Sequence, residues 1–370
     1  MRILLLSAYD AHSHRRWRTG LVAAFPEHEW TVLALPPRHF LWRVRGNSLS
    51  WAFGQRELLL QPYDLVIATS MTDLSALRGM VAGLAAVPAL VYFHENQFAY
   101  PDRRAQPRDE PRVVNLYTAL VADRVLFNSE FNRQTFLDGV REFLASMPDR
   151  VPPGIPALVR EKSAILPVPL DACWFAEGPA ALPDKSALTI VWNHRWEYDK
   201  GPERLFAALV KLQQAGVDFR VHVIGQQFRD RPPVFAELRA QLGNSIGAWG
   251  RVEADADYRC LLRESHVVLS TSLHEFQGLA VQEAVACGCI PLVPDRQAYP
   301  EYLEREYRYR SYPEDPEAEA GAIAERLIAL AKQHRAGGLP PPPDLRGLSW
   351  TSQRPAYAAE LDTLAGSGAG

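Results

Sequence analysis

Two carboxylates stand eight positions apart in His274-Glu275-Phe276-Gln277-Gly278-Leu279-Ala280-Val281-Gln282-Glu283. Gly278 suits a hinge, Leu279 to Cys287 reads as a short helix of small residues, and Gly288 suits a left-handed stop. Glu275 then lies just ahead of the helix and Glu283 one to two turns inside it. The first-turn amides of such a helix carry partial positive charge and suit a phosphate or the oxygens of a sugar. A glycosyl diphosphate laid along this turn would set Glu275 near the sugar and Glu283 near a ribose. The plain alternative is a solvated helix with two surface glutamates.

A second segment carries the opposite charge. In Trp192-Asn193-His194-Arg195-Trp196-Glu197-Tyr198-Asp199-Lys200-Gly201-Pro202-Glu203, Arg195 and Lys200 sit five apart in a strand-to-helix loop, ahead of a helix opened by Pro202. Arginine offers a planar fork and lysine a point charge, so the two can close on one diphosphate and stabilise it as it departs, without a metal. Ordinary pairing with Glu197 and Asp199 would occupy the same charges.

A third cluster is Phe93-His94-Glu95-Asn96-Gln97-Phe98-Ala99-Tyr100-Pro101. His94 could hydrogen-bond a sugar hydroxyl near a reacting carbon, with Glu95 and Asn96 orienting the acceptor or the imidazole. Arginines gather in the same half: Arg15, Arg16 and Arg18; Arg38, Arg43 and Arg45 with Trp42; Arg103, Arg104, Arg108 and Arg112. Arginines interleaved with aromatic residues suit an RNA backbone and unstacked bases, although any one cluster read alone is solvated surface charge.

These residues need a scaffold to bring them together. Apolar runs alternate with helical patterns, the signature of parallel sheets wrapped by helices. Ile3–Ser7, Glu29–Ala34, Leu65–Ala68, Ala89–Phe93 and Arg124–Phe127 read as strands of a first sheet. Leu188–Trp192, Phe219–Ile224, Val267–Ser270 and Ile290–Val293 read as strands of a second. Helices are expected at Pro202–Ala215, ended by Gly216, and at Gln282–Ala286. Each chemical cluster then follows a strand, where open α/β sheets bind ligands. The proline-dense segments Val151–Pro156 and Pro167–Asp171 read as a connector. It gives a first domain at residues 1–168 and a second at 169–349, followed by a last helix from Trp350 to Leu364 and a disordered tail from Ala365 within 350–370.

At 370 residues the chain is long for one core, and 47% apolar with 22% charged residues is ordinary globular composition. The net charge of −3 is unevenly divided: residues 1–168 hold 19 Lys and Arg against 16 Asp and Glu, the remainder 21 against 27. The first half is therefore the better side for an anionic partner. The four cysteines include Cys287 and Cys289 in an apolar run, which read as small packed hydrophobes and not as a zinc site. Scarce cysteine, an opening apolar run too short for a signal peptide and no bilayer-length apolar stretch give the expectation of a cytoplasmic protein.

Taken together, the acid pair at this spacing, the following Ala-Cys-Gly-Cys-Ile-Pro, and the upstream arginine and lysine-glycine resemble the family 4 retaining nucleotide-sugar glycosyltransferases. The segments from Phe93 to Pro101 and from Trp192 to Glu203 resemble those of tRNA-queuosine α-mannosyltransferases; the likeness spans roughly residues 1–310. It implies the α/β GT-B fold, two Rossmann-like domains with parallel sheets facing across a cleft. It also implies GDP-mannose as donor and queuosine in aspartate tRNA as acceptor, with no cofactor, no metal and no membrane. By resemblance, Arg195 and Lys200 grip the diphosphate, Glu275 the mannose hydroxyls, Glu283 the ribose and His94 the sugar near its reacting carbon. Asn193, Phe276, Gln277, Gly278 and Leu279 complete the expected donor set. His12, His14, Arg15, His94, Glu95, Asn96, Arg103 and Arg104 form the expected acceptor set. Such enzymes use no protein nucleophile: the leaving phosphate takes the acceptor's proton on the same face.

Two departures from the family pattern stand out. Ser7 to His14 occupies the place of a glycine-pair loop, so side chains there would take over contacts made elsewhere by backbone, and Phe276-Gln277 stands where Pro-Phe or Phe-Phe is common. Two other readings share the same residues: a related transferase acting on a glycan or lipid, and a non-catalytic α/β protein that binds RNA or nucleotide.

Overall fold

The computed structural model describes residues 1–100, 109–175, 187–228 and 231–367, the side chains of residues 365 and 367 excepted. The chain divides into two compact units, one of Met1–Pro169 with Trp350–Gly370, the other of Leu170–Ser349.

The first unit holds β1 (Arg2–Ser7), β2 (Glu29–Ala34), β3 (Leu65–Thr69), β4 (Ala89–Phe93), β5 (Arg124–Phe127) and β6 (Ser163–Ile165) in one sheet of order β2-β1-β3-β4-β5-β6. All pairings are parallel. Its helices are α1 (His12–Ala24), α2 (Phe40–Gly54), α3 (Arg56–Leu59), α4 (Leu74–Met80), α5 (Asp109–Val121), α6 (Glu130–Ala145) and α7 (Ile155–Glu161). β3 and β4 are buried at every position, as expected of strands covered on both faces.

The second unit repeats the scheme. β7 (Leu188–Trp192), β8 (Phe219–Ile224), β9 (Ile246–Gly250), β10 (Val267–Leu269), β11 (Ile290–Pro294) and β12 (Arg308–Tyr309) form a parallel sheet of order β12-β11-β10-β7-β8-β9. Its helices are α8 (Pro202–Gln214), α9 (Val234–Leu242), α10 (Asp255–Arg263), α11 (Leu279–Ala286) and α12 (Pro316–Arg335). α8 ends one residue sooner than its apolar spacing predicts.

β6, β9 and β12 are missing from the sequence reading, and all three lie at sheet edges. β9 carries two glycines, β6 is a half-buried Ser-Ala-Ile, and β12 has only two residues. Cys287 and Cys289 are buried and free, and the Cys289 thiol points to the Leu262 carbonyl at 3.0 Å, as packed small side chains do.

The last helix, α13 (Trp350–Ser367), runs past Leu364 through residues expected to be a loose tail. Residues 368–370 lie outside the described residues. α13 returns to the first unit: Trp17 Nε1 donates to the Tyr357 hydroxyl at 3.0 Å, which donates to the Pro167 carbonyl at 3.0 Å. Arg124 forks onto Glu360 at 2.6 and 2.7 Å. Trp350 lies so close over α1 that a methyl on Gly20 would stand 2.4 Å from its indole nitrogen.

Candidate active site

In the second sheet the strand order reverses between β7 and β10, and open α/β sheets bind ligands beyond the carboxyl ends of strands at such a point. The two loops that leave there carry the predicted chemistry. Asn193 to Lys200 follow β7, and Ser270 to Gly278 follow β10 and run into α11. Lys200 joins them: its Nζ donates to the His274 carbonyl at 2.8 Å and to Glu275 Oε2 at 3.1 Å, and lies 3.2 Å from Asp199 Oδ2. The backbone adds a clasp, since the Leu273 and His274 amides both donate to the Asp199 carbonyl, at 2.8 and 3.3 Å. Arg195 reaches Glu197 at 2.8 Å and Asp199 at 4.0 Å with 42% of its side chain exposed. Asp199 therefore lies between the two cations, and with Glu197 it makes the local pairing that the plain reading of this loop offered.

Two glycines allow the loops to approach this closely. Gly201 has φ +63°, and a Cβ there would lie 2.2 Å from the Thr271 carbonyl oxygen; at Gly225, φ +147°, it would lie 1.9 Å from that of His194. A buried ion cluster holds the β10 loop from behind. Arg296 donates to the Ser272 carbonyl at 3.0 and 2.7 Å, and Glu319 sits between Arg296 at 2.8 Å and Arg204 at 3.2 Å. Gly278 caps α11 in the left-handed region at φ +84°, where a Cβ would meet the Tyr302 hydroxyl at 2.7 Å. None of Arg204, Arg296, Glu319, Tyr302 or Gly225 belongs to a short motif; only tertiary packing brings them behind the site.

Electrostatics follow from that crowding. Burial pushes the Glu275 carboxyl upward, but the charge and hydrogen bond of Lys200, together with His194 and His274, outweigh it, and the net pKa lies below the ordinary value. Burial pulls Lys200 down, Glu275 and Asp199 push it up, and it ends above its ordinary value. The site thus holds a fixed ammonium and a fixed carboxylate. Burial and then the Lys200 charge hold His194 down to about 3 and His274 to about 4, so both imidazoles are neutral at pH 7. Glu197 is raised, chiefly by burial.

The remaining predicted donor residues divide between surface and support. Glu283 is buried on the second turn of α11 and not on a solvated face. Asn193 Nδ2 donates to the Tyr258 hydroxyl at 2.9 Å and the Ala280 carbonyl at 2.7 Å, bracing α11 against the β7 loop. Phe276 is buried edge-on to His274 at 4.5 Å, Gln277 Nε2 donates to Gln282 at 2.9 Å, and Leu279 opens α11 partly packed on the core.

The first unit carries the other cluster. Its sheet reverses between β1 and β3, and His94 directly follows β4, the strand beside β3. His94 is buried, stacked on His14 at 4.2 Å and bordered by Tyr92 at 4.7 Å and Trp17 at 5.1 Å. Neither of its ring nitrogens has a hydrogen-bond partner among the described residues. Burial, with His14 second, holds it well below 6.5 and therefore neutral. Glu95 reaches His14 Nε2 at 3.0 Å, so the carboxylate orients His14 and not His94. Asn96 is committed inward: its amide donates to Asn132 and Thr135, and its oxygen accepts from the Phe98 and Ala99 amides. It braces the turn and offers no polar atom outward. His12 and Arg15 are exposed on α1, with Arg15 3.3 Å from Asp10; Arg103, Arg104 and Arg108 lie outside the described residues. Among the described residues, no group of three or more His, Cys, Asp and Glu could hold a metal ion, and no helix is long and apolar enough to cross a membrane.

Comparison with known proteins matches this division. Residues 2–170 fit the family described as tRNA-queuosine alpha-mannosyltransferase N-terminal, and residues 179–337 fit glycosyl transferases group 1. A Drosophila melanogaster tRNA-queuosine alpha-mannosyltransferase is 33% identical over 342 residues, covering 90% of this chain and 88% of the relative. The chain belongs to the tRNA-queuosine α-mannosyltransferase family. Members of this family are glycosyltransferases, and the chain is an enzyme of that class. Solved structures share the GT-B fold at low identity. Anabaena HepE in complex with UDP and glucose has a TM-score of 0.67 at 16% identity, covering 98% of this chain and 100% of its own. The sucrose-phosphate synthase of Thermosynechococcus elongatus has a TM-score of 0.70 at 15% identity, covering 98% and 99%.

Proposed function

We propose that this α-mannosyltransferase-family chain moves mannose from GDP-mannose to the queuosine nucleoside of tRNA, the aspartate tRNA being the acceptor, with retention at the anomeric carbon. One observation carries the reading: cations and the amide end of α11 converge in the half that fits group 1 glycosyltransferases, while the other half fits the queuosine-specific family. The first unit is the acceptor side and the second the donor side.

In this reading the sugar C1–oxygen bond to the diphosphate breaks, and the acceptor hydroxyl oxygen joins C1 on the same face. Its proton passes to the departing phosphate oxygen, giving GDP. An entering diphosphate competes with Asp199 and Glu197 for Lys200 and Arg195, so the charges are already positioned and little reorganisation is needed as the leaving group gains charge. Glu275, kept ionised beside Lys200, accepts hydrogen bonds from mannose hydroxyls, and Glu283 serves the ribose. His94, neutral and with neither ring nitrogen bonded among the described residues, bonds the sugar near C1. No metal takes part, and the reaction belongs to the cytoplasm.

The test is GDP release from GDP-mannose with queuosine-containing tRNA, in buffer with EDTA, against the same tRNA lacking queuosine. Release only with queuosine and undiminished by EDTA supports the reading. Release independent of tRNA, or label transferred to RNase-resistant material, rejects it. Arg195→Ala, a half-exposed position, should leave melting unchanged and lower turnover by roughly a hundredfold.

A further inference from the structure

α2 presents an outer stripe that the mechanism does not use. Trp42, Arg45, Leu49 and Phe53 recur at spacings of three and four and so share one face, opposite the buried Val44, Asn47, Ser48 and Trp51. Trp42 is 54% exposed, Leu49 46% and Phe53 69%. Three large apolar side chains in a row on a surface helix call for a partner. The Trp42 ring is also held in a set position. It lies flat over Gly46, one turn along, so closely that a methyl on Gly46 would stand 2.8 Å from two ring carbons. The missing side chain is what lets one indole face rest on the helix while the other faces outward.

We propose that this stripe is a stacking platform for unpaired bases of the tRNA, with Trp42 as its fixed first ring. Charge selects the occupant. From Trp30 to Arg56 the chain carries Arg38, Arg43, Arg45 and Arg56 and no carboxylate. Arg45 is paired with Glu110 at the start of α5 and Arg43 Nε donates to the Pro36 carbonyl at 3.3 Å, so the positive charge that borders the aromatic strip comes from Arg38, Arg43 and Arg56. Sequence-tolerant recognition of single-stranded RNA uses this combination, with flat rings beneath the bases and cations beside the phosphates. The location fits as well. Phe40, the first residue of α2, meets Tyr9 edge-on at 5.5 Å, and the Asp10 amide donates to the Leu35 carbonyl at 2.9 Å. The stripe therefore begins beside the loop that leads into His14 and its stacked partner His94, and runs roughly 17 Å along the helix.

The proposal rests on the tRNA reading above, and its test separates the two. Binding of an unmodified tRNA transcript is measured at equilibrium for the wild-type chain and for Trp42→Ala, Phe53→Ala, Gly46→Ala and the double variant W42A/G46A. Turnover is then followed with queuosine tRNA and with the free queuosine nucleoside. Trp42→Ala should weaken transcript binding and raise KM for tRNA about tenfold or more. The kcat, the KM for GDP-mannose and the rate on the free nucleoside should stay unchanged. Gly46→Ala should reproduce part of the loss by tilting the indole, and should add nothing once Trp42 is gone. Unchanged melting temperatures show that the variants fold. Wild-type transcript affinity in Trp42→Ala overturns the platform, as does a loss confined to anionic-vesicle binding or to self-association. If Trp42→Ala loses transcript affinity while the wild-type chain gives no turnover with queuosine tRNA, the platform stands and the proposed reaction falls.

Discussion

Lys200 Nζ lies 3.1 Å from Glu275 Oε2, so the buried cation of one loop and the part-buried acid of the next form a single pair across the reversal point of the sheet. The pair makes the phosphate-side charge and the sugar-side charge mutually dependent. Lys200→Met should leave a part-buried carboxylate without its cation, lower stability, and lower turnover by roughly a hundredfold or more. Glu275→Gln in the same background should recover part of the stability and none of the activity. Urea denaturation of the two single variants and the double variant reads the coupling, and strictly additive losses would contradict the pairing.

Gly278 tests whether the hinge of α11 serves the site or only the chain. Gly278→Ala meets both a left-handed φ and the Tyr302 hydroxyl, whereas Gly216→Ala meets a similar φ of +68° with nothing within 4 Å. Both should lose stability, by about 1–3 kcal/mol at each left-handed backbone position. Only Gly278→Ala should raise KM for the nucleotide sugar. An equal rise in both variants would sink the assignment.

Acid should unfold the protein through its histidines before its carboxylates. Burial holds His194 at about 3 and His222, His266 and His274 at about 4, each from an ordinary 6.5. Below pH 6.5 the unfolded chain takes up protons that the folded one refuses, so stability present at pH 7 is lost as pH falls toward 4. At pH 5 each such histidine costs roughly 2 kcal/mol. Denaturant midpoints at pH 7.5, 6 and 5 check this, and a flat profile would be the contrary result.

α13 should be needed for the first unit to fold. Deleting residues 350–370 removes the Tyr357 hydroxyl from Trp17 and the Glu360 fork from Arg124 and uncovers the buried Trp17 ring. We expect a loss of several kcal/mol, from exposed aromatic surface and a lost part-buried ion pair. Limited proteolysis should cut within residues 1–169 first. Native-like resistance there would show α13 to be an ornament.

Much of the site was legible because its residues come in short runs after apolar strands. Arg195, Lys200, Glu275 and Glu283 each follow or enter an element whose period the sequence displays, and the parallel architecture then brings the β7 and β10 loops together. The edge strands β6 and β12 were not legible, since two or three residues have no period to detect. Asn96 looked like chemistry because a buried asparagine that binds its own turn has the same letter as one that binds a ligand.

By itself the sequence determined the two α/β halves, the strands at whose ends chemistry stands, and the family likeness, because strand period, glycine stops and proline connectors act over short distances. Only the tertiary structure decided which charges meet. Lys200 on Glu275, Glu95 on His14, the Arg204–Glu319–Arg296 brace and the return of α13 to the first unit all join residues distant in the chain. Partner choice for a buried charge is set by which loops the sheet order places side by side, and no local pattern encodes that.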